Sequence, residues 1–369
     1  MKVLHITESL GAGVGHYVWL AMRAQAAAGH TVVLAHSIRH DTMTNLNESF
    51  AFLTKRVVVP MVTEVSVAKD AVSVWRLAAL LRQEQPDIVH LHSSKAGVLG
   101  RVAVWLTDIC LRRHTGVFYS PHGFAFLRQD VSTIKQKLYL GFERVAAMLG
   151  GTLVACSATE AKLASGQVGH PNVRLIENAI DLNEVLCSEG SADGRLNVLN
   201  AGRVCYQKAP WRFKAVAHRC SDMTARFVWL GDGDLACEFL AETAQVNTLA
   251  NLKLTGWLSR AKLIEWLAKA DIFLMPSLWE GMPLALIEAQ AAGVPAVVSN
   301  VVGCRDVVQD GVTGFVCDTD EELFARTRQL IEDASLRKRM GINAARMART
   351  RFSVARMNDD LLQLYVNTR

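Results

Sequence analysis

No stretch of the 369 residues is apolar enough for long enough to span a membrane. The longest candidates, such as Val98 to Leu111, are broken by Arg101 and Asp108 and fall short of the roughly 20 residues a spanning helix needs. A cleavable leader is not expected, because Met1 leads within two residues into the apolar run Val3-Leu4-His5-Ile6. The eight cysteines, at 110, 156, 187, 205, 220, 237, 304 and 317, include no close pair, which fits neither a zinc knuckle nor a disulfide framework. Reduced thiols in a cytoplasmic protein are the expectation. Charge of one sign is also scarce: 40 basic residues face 35 acidic ones, a surplus too small for a nucleic-acid platform. That surplus is uneven, since residues 1–185 carry 18 basic against 14 acidic, so the first half is the one suited to an anionic membrane surface.

Half the residues are apolar, and the length exceeds what one hydrophobic core usually serves, so two domains are expected. The opening segment reads as strand, glycine loop, helix and strand, a Rossmann-type βαβ unit. Its glycines Gly11, Gly13 and Gly15 are spaced G-x-G-x-G, and the second strand ends in His36-Ser37-Ile38-Arg39 without an acidic residue, which argues against a dinucleotide. A helix is expected from Ser73 to Arg82 and a strand over Pro86 to His92, whose His90 and His92 point to one face. A catalytic zinc would need a third ligand, and local spacing offers none. The strand Val117 to Ser120 delivers Pro121-His122-Gly123 to its carboxyl end, where a loop histidine is placed to touch a ligand. From Phe124 to Leu149 the pattern is that of a helix combining aromatic residues with Arg128, Lys135, Lys137 and Arg144. Such a helix either lies on a membrane or packs on the core with a solvated basic side. Cys156 has no paired histidine nearby and reads as a small buried residue.

The most informative stretch is Pro276 to Pro295. The run Ile272 to Met275 reads as a buried parallel strand, Pro283 suits the first turn of a helix, and Gly293 with Pro295 stops that helix. The helix start, from Gly281 through Met282 and Pro283 to Leu284, is an anion site, with Glu280 in the loop at its mouth and Glu288 further along the axis. Two carboxylates around a phosphate site suit the hydroxyl-rich parts and the diphosphate of a nucleotide sugar; a solvated acidic loop and an ordinary helical Glu are the bland alternative. Arg203 and Lys208 put two cations on one strand-end loop, as a diphosphate requires. The Asp232-Gly233-Asp234 triplet is read as a strand-end turn and not as a metal-nucleotide motif.

The pattern of Glu280, seven residues and Glu288, with Gly281, Pro283, Ala289 and Gly293-Val294-Pro295 around it, resembles the signature of glycosyltransferase family 4, retaining enzymes of the GT-B fold. The resemblance covers nearly the whole chain and is strongest from Gly202 to Phe315. It implies that Glu280 faces the donor sugar, that Glu288 binds the ribose and that His122 contacts the sugar. Arg203 and Lys208 would then oppose the leaving diphosphate. It further implies donor contacts at Gly13 and Gly15, at Gly231, at Gly281 to Leu284, and at Trp257 and Leu258, where the family holds the base by backbone contacts. Ser93 to Gly97 resembles a loop near the acceptor. Two departures stand out: Ala209 replaces the family's Gly after Lys208, and Cys304-Arg305-Asp306 replaces its commoner Gly/Ile-Pro-Glu.

The fold implied is α/β: two Rossmann-like domains facing across a cleft, residues 1–190 with a C-terminal helix at 352–369 crossing back, and residues 195–351. The activity implied is transfer of a sugar, with retention and without metal or other cofactor, from a nucleotide sugar, a UDP-sugar favoured, to a glycan or lipid-linked glycan acceptor. The expected setting is the cytoplasm, peripheral on the inner face of the membrane. A non-catalytic nucleotide-sugar-binding subunit, a sugar-nucleotide epimerase and a phosphorylase are the competing readings. The last of these lacks any motif for a lysine holding pyridoxal phosphate.

Overall fold

The computed structural model describes every residue except 40, 41, 43–45, 63, 64, 113, 192, 246–250 and 369. The chain divides into two compact units, Met1–Ala179 with Val354–Arg369, and Ile180–Ser353. The first division falls about ten residues before the boundary expected between residues 190 and 195. Residues just before that boundary pack within the second unit, with Ser188 Oγ donating to the carbonyl of Ala270 at 2.6 Å and Glu189 N to that of Ala268 at 2.9 Å.

In the first unit, the elements are β1 (Lys2–Thr7), α1 (Ala12–Ala27), β2 (Thr31–His36), α2 (Leu46–Ser49), β3 (Lys55–Val58), α3 (Val67–Glu84) and β4 (Ile88–His92). They continue with α4 (Ser94–Leu111), β5 (Gly116–Ser120), α5 (Thr133–Ala147), β6 (Thr152–Ala155), α6 (Ala158–Leu163) and β7 (Val173–Leu175). The seven strands form one parallel sheet in the order β3-β2-β1-β4-β5-β6-β7. Helices on both faces bury the inner strands, which is why β4 and β6 are buried at every position and read as unbroken runs, while the edge strands β3 and β7 stay partly exposed.

The second unit repeats the plan. Its elements are β8 (Leu196–Ala201), α7 (Pro210–Arg219), β9 (Ala225–Leu230), α8 (Ala236–Gln245), β10 (Leu252–Leu254), α9 (Arg260–Leu267) and β11 (Ile272–Met275). Then come α10 (Leu284–Ala291), β12 (Ala296–Ser299), α11 (Cys304–Val307), β13 (Gly314–Cys317), α12 (Asp320–Glu332) and α13 (Ala334–Arg351). The sheet order is β10-β9-β8-β11-β12-β13. The last helix, α14 (Val354–Asn367), belongs to the first unit and packs on α1 there. No helix among the described residues is long and apolar enough to cross a membrane.

In each sheet the strand order reverses direction beside the first strand: between β1 and β4, and between β8 and β11. Ligands of open parallel sheets bind at the carboxyl ends of the strands at such a reversal. The loops at these points are those after β1 and β4, and those after β8 and β11.

Candidate active site

The loop after β8 carries Arg203 and Lys208; the loop after β11 carries Glu280. The two loops are tied together, because Leu278 N donates to the carbonyl of Gln207 at 2.8 Å and Gln207 Nε2 donates to the carbonyl of Trp279 at 2.8 Å. The same amide lies 3.4 Å from Glu280 Oε2. Lys208 Nζ then stands 2.7 Å from Glu280 Oε1, with both side chains largely buried. This contact is an ion pair set off the hydrogen-bond axis, so Oε1 accepts no aligned bond. The lysine stem crosses Gly202, where an added Cβ would meet Lys208 Cε at 3.2 Å. Arg203 is half-buried on the same loop.

Gly231, at the end of β9, closes the floor beneath these cations. Its φ of +146° places a hypothetical Cβ 2.2 Å from the carbonyl oxygen of Gly202, so only glycine lets the two strand ends approach. Its amide faces Thr255 Oγ1 at 3.3 Å, and it forms an isolated bridge with Gly256, which positions Trp257 and Leu258 next in the chain. Trp257 is exposed and offers an indole face. Asp232 accepts the Gly233 amide on Oδ1 at 2.8 Å and the Val204 amide on its carbonyl, so its visible work is holding this turn.

The start of α10 differs in detail from expectation. Pro283 is the residue before the helix, in an extended conformation (φ −73°, ψ 119°), and Leu284 begins the helix. Gly281, Met282, Pro283 and Leu284 are all buried, and Gly303 packs on them so closely that a Cβ there would meet the Gly281 carbonyl at 2.2 Å. Asp306 caps the adjoining α11 by accepting the Gly303 amide at 3.0 Å. Glu288, in the second turn of α10, is buried against the guanidinium of Arg260, which also bonds Glu184 at 3.0 Å. Burial pushes the Glu288 carboxyl up, and Arg260 opposes that shift. Sequence reasoning missed Arg260 and Glu184: they lie 76 positions apart, and only the fold brings them to one carboxylate.

In the first unit, Gly13 and Gly15 correct the expectation of a glycine loop, for both lie in the first turn of α1 after Gly11. A Cβ on Gly15 would strike the Leu10 carbonyl at 2.2 Å, whereas Gly13 is exposed with nothing near it. Gly15 is there for packing, and Gly13 leaves the helix start open. The expected helix from Phe124 to Leu149 is also corrected. Phe124 and Phe126 are buried in the core around a short turn at Ala125–Leu127, and α5 begins only at Thr133, capped by Ser132. Arg128 lies outside the helix and pairs with Asp130 at 2.7 Å.

His122 sits after β5 with a positive φ of 56°, a strained conformation for a residue with a Cβ. Glu160 holds it there: this fully buried carboxylate accepts the Gly123 amide at 2.7 Å and the Cys156 amide at 2.8 Å. Ser157 caps the start of α6 by accepting the Glu160 amide at 3.2 Å, which sets the Glu160 side chain for this duty. His122 Nε2 lies 3.0 Å from His92 Nδ1, and His92 Nε2 lies 2.9 Å from His5 Nδ1. Thus a third histidine does join His90 and His92. It comes from β1, whose register sets His5 beside His90. The three offer nitrogens within 4.8 Å of one another, but each ring already spends both nitrogens in hydrogen bonds, His90 on Tyr365 and Ser120. A metal ion there would have to break them.

These two parallel-sheet units, with cations and a carboxylate gathered at the second reversal point, define a GT-B glycosyltransferase. The profile described as Glycosyltransferase Family 4 matches residues 11–184, and that described as Glycosyl transferases group 1 matches residues 187–347. The chain is 30% identical over 321 residues to the UDP-Gal:alpha-D-GlcNAc-diphosphoundecaprenol alpha-1,3-galactosyltransferase of Escherichia coli, covering 82% of this chain and 81% of that one. It is 23% identical over 331 residues to the capsular polysaccharide biosynthesis glycosyltransferase CapM of Staphylococcus aureus, covering 84% of each. The structure of Anabaena Alr3699/HepE in complex with UDP and glucose superposes with a TM-score of 0.80 at 19% identity, covering 99% of both chains. The chain belongs to glycosyltransferase family 4.

Proposed function

We propose that the protein is a retaining, metal-independent glycosyltransferase that moves a sugar from a UDP-sugar to a lipid-linked glycan during cell-surface polysaccharide synthesis. The observation that carries this reading is the Lys208–Glu280 pair beside Arg203, at the reversal point of the second sheet. As the sugar–phosphate bond breaks, negative charge grows on the departing diphosphate. Arg203 and Lys208 are the groups that oppose it, in place of a metal ion. Glu280 orients the lysine ammonium and presents its other oxygen towards a sugar hydroxyl. Glu288, kept charged by Arg260, suits the paired hydroxyls of a ribose. Within the first unit, His122 is the side chain proposed to contact a sugar hydroxyl.

Uracil is favoured because the E. coli relative is named for UDP-galactose and the Anabaena structure holds UDP. A lipid-linked acceptor is favoured by the diphosphoundecaprenol in that relative's name and by a feature of α5. Ile134, Leu138, Phe142 and Val145 are exposed along one face of this helix, with Lys135, Lys137 and Arg144 also exposed on it. An apolar stripe bordered by cations suits the anionic inner surface of a cytoplasmic membrane.

The test is incubation with a panel of nucleotide sugars, with and without undecaprenyl-diphosphate sugars, reading nucleotide release and product mass. UDP release that rises with acceptor supports the reading, and an α-linked product from an α-linked donor supports retention. Full activity in EDTA supports metal independence. Binding without turnover for every donor would overturn it in favour of a sugar-nucleotide-binding subunit.

A further inference from the structure

The first unit contains a continuous chain of side chains that ends at His122. Gln25 Oε1 lies 2.8 Å from His5 Nε2, His5 Nδ1 lies 2.9 Å from His92 Nε2, and His92 Nδ1 lies 3.0 Å from His122 Nε2. The rings are nearly coplanar in each histidine pair, 6° and 16° apart, with centroids 5.2 Å and 5.3 Å apart. Each centroid separation is the nitrogen gap plus one imidazole radius at either end, so the lone-pair axes are collinear. Collinear axes describe N–H···N hydrogen bonds; ligands of a shared metal converge on a point off the line between them.

A neutral imidazole has one N–H and one lone pair, so every bond in such a chain fixes the next. The direction is set at Gln25. Its Oε1 can only accept, so His5 donates from Nε2 and accepts on Nδ1. His92 therefore donates from Nε2 and accepts on Nδ1, and His122 donates from Nε2. Burial lowers the basicity of His5, His90, His92 and His122, so the rings stay neutral at physiological pH.

We propose that Gln25, acting through His5 and His92, is a positioning residue that fixes the tautomer of His122, leaving its Nδ1 a bare acceptor for a ligand hydroxyl. His122 is only partly buried, and Nδ1 makes no hydrogen bond among the described residues. An acceptor held in this way selects a hydroxyl and rejects a group that can only accept. The proposal rests on the glycosyltransferase reading for the identity of that hydroxyl, as a sugar's, but not for the tautomer itself.

The experiment is NMR of the full chain with 15N-labelled histidine, His122 being assigned by comparison with His122→Gln. The expected spectrum has a protonated Nε2 and an unprotonated Nδ1 on His122. A protonated Nδ1, or a mixture of tautomers in the wild type, overturns the proposal. Gln25→Glu supplies an acceptor at the same place and should keep both tautomer and turnover, whereas Gln25→Met, similar in length, should give mixed tautomers. Its kcat should fall about tenfold with little change in donor KM, the scale seen when a partner that orients a histidine is lost. A Gln25→Met enzyme that loses activity with the tautomer unchanged shows a merely structural role and refutes the proposal. If Gln25→Met fails to fold, the wild-type spectrum still decides. Failure of the wild type to transfer any sugar would instead refute the function and leave the tautomer measurement standing.

Discussion

Acid should unfold the first unit well before the second. Ten of the eleven histidines lie in the first unit, and His218 is the exception. Burial lowers the pKa of His5 and His170 to about 4 and that of His122 to about 3, against 6.5 for a free side chain. A histidine whose folded pKa is lowered binds fewer protons folded than unfolded between those two values, so stability is complete above pH 6.5 and lost as pH falls towards the folded pKa. At pH 5 each fully buried histidine costs about 2 kcal/mol relative to pH 7.5. His5 and His170 are fully covered, while His122 is only partly so and is discounted, giving about 5 kcal/mol together. His90 and His92 shift in the same direction and add to it. Against a typical domain stability of about 5–15 kcal/mol, that loss lowers the melting temperature of the unit by roughly 10–20 °C. Calorimetry at pH 7.5, 6 and 5 should show one transition moving down steeply and another, identified by its upward shift with UDP, moving little. Equal shifts of both transitions, or no shift by pH 5, would refute the reasoning.

Lys208→Met should lower both stability and turnover, because it strands the buried Glu280. The expected loss is about 2–4 kcal/mol in the second unit's transition, and Lys208→Met/Glu280→Gln should recover more than half of it; a double variant no more stable than Lys208→Met would deny the pair. Its kcat should fall about 100-fold through loss of charge opposing the diphosphate, and unchanged turnover would remove Lys208 from the site. Arg260→Ala should raise donor KM about tenfold with a smaller change in kcat, since Glu288 would lose the partner that keeps it ionised; a loss confined to kcat would argue for a different role. Ile134→Ser/Leu138→Ser should reduce flotation with anionic liposomes about 100-fold, as two apolar side chains give up about 3 kcal/mol of burial. Binding unaffected by both changes, or equal on neutral vesicles, would remove the membrane surface.

The strand, loop and helix around Glu280 were legible because each boundary has a local cause. Ile272 to Met275 is buried on both faces and therefore uniformly apolar, and Gly293 adopts the positive φ of 87° that ends a helix. Ala209 was legible as a departure from the family, and its physical meaning is now plain. It holds φ at 49°, a left-handed conformation that costs a residue with a Cβ roughly 1 kcal/mol and costs glycine nothing. What sequence could not reveal is contact between distant strands and loops. Gly13 and Gly15 look like a loop until Leu10 is seen pressing on the helix start. His5 looks like a core residue until the parallel register sets it beside His90. Phe124 and Phe126 continue a helical pattern, but the core takes both rings and delays the helix to Thr133.

The two acidic residues of the motif differ in how their charge is held, and that difference separates their work. Glu288 is buried, and its carboxylate is maintained against desolvation by Arg260, which is itself anchored by Glu184. A carboxylate fixed on both sides is suited to accept bonds from hydroxyls that do not change during reaction, so it binds ground and transition states alike. Glu280 is tied instead to Lys208, and its second oxygen is held only at 3.4 Å from the Gln207 amide. A lysine already oriented by its partner need not reorganise when phosphate charge grows, and preorganisation of that kind lowers a barrier where a freely moving ammonium would not. Under the proposed function, the carboxylate that at first sight weakens the anion site by neutralising one of its cations is the group that holds that cation ready for the departing diphosphate.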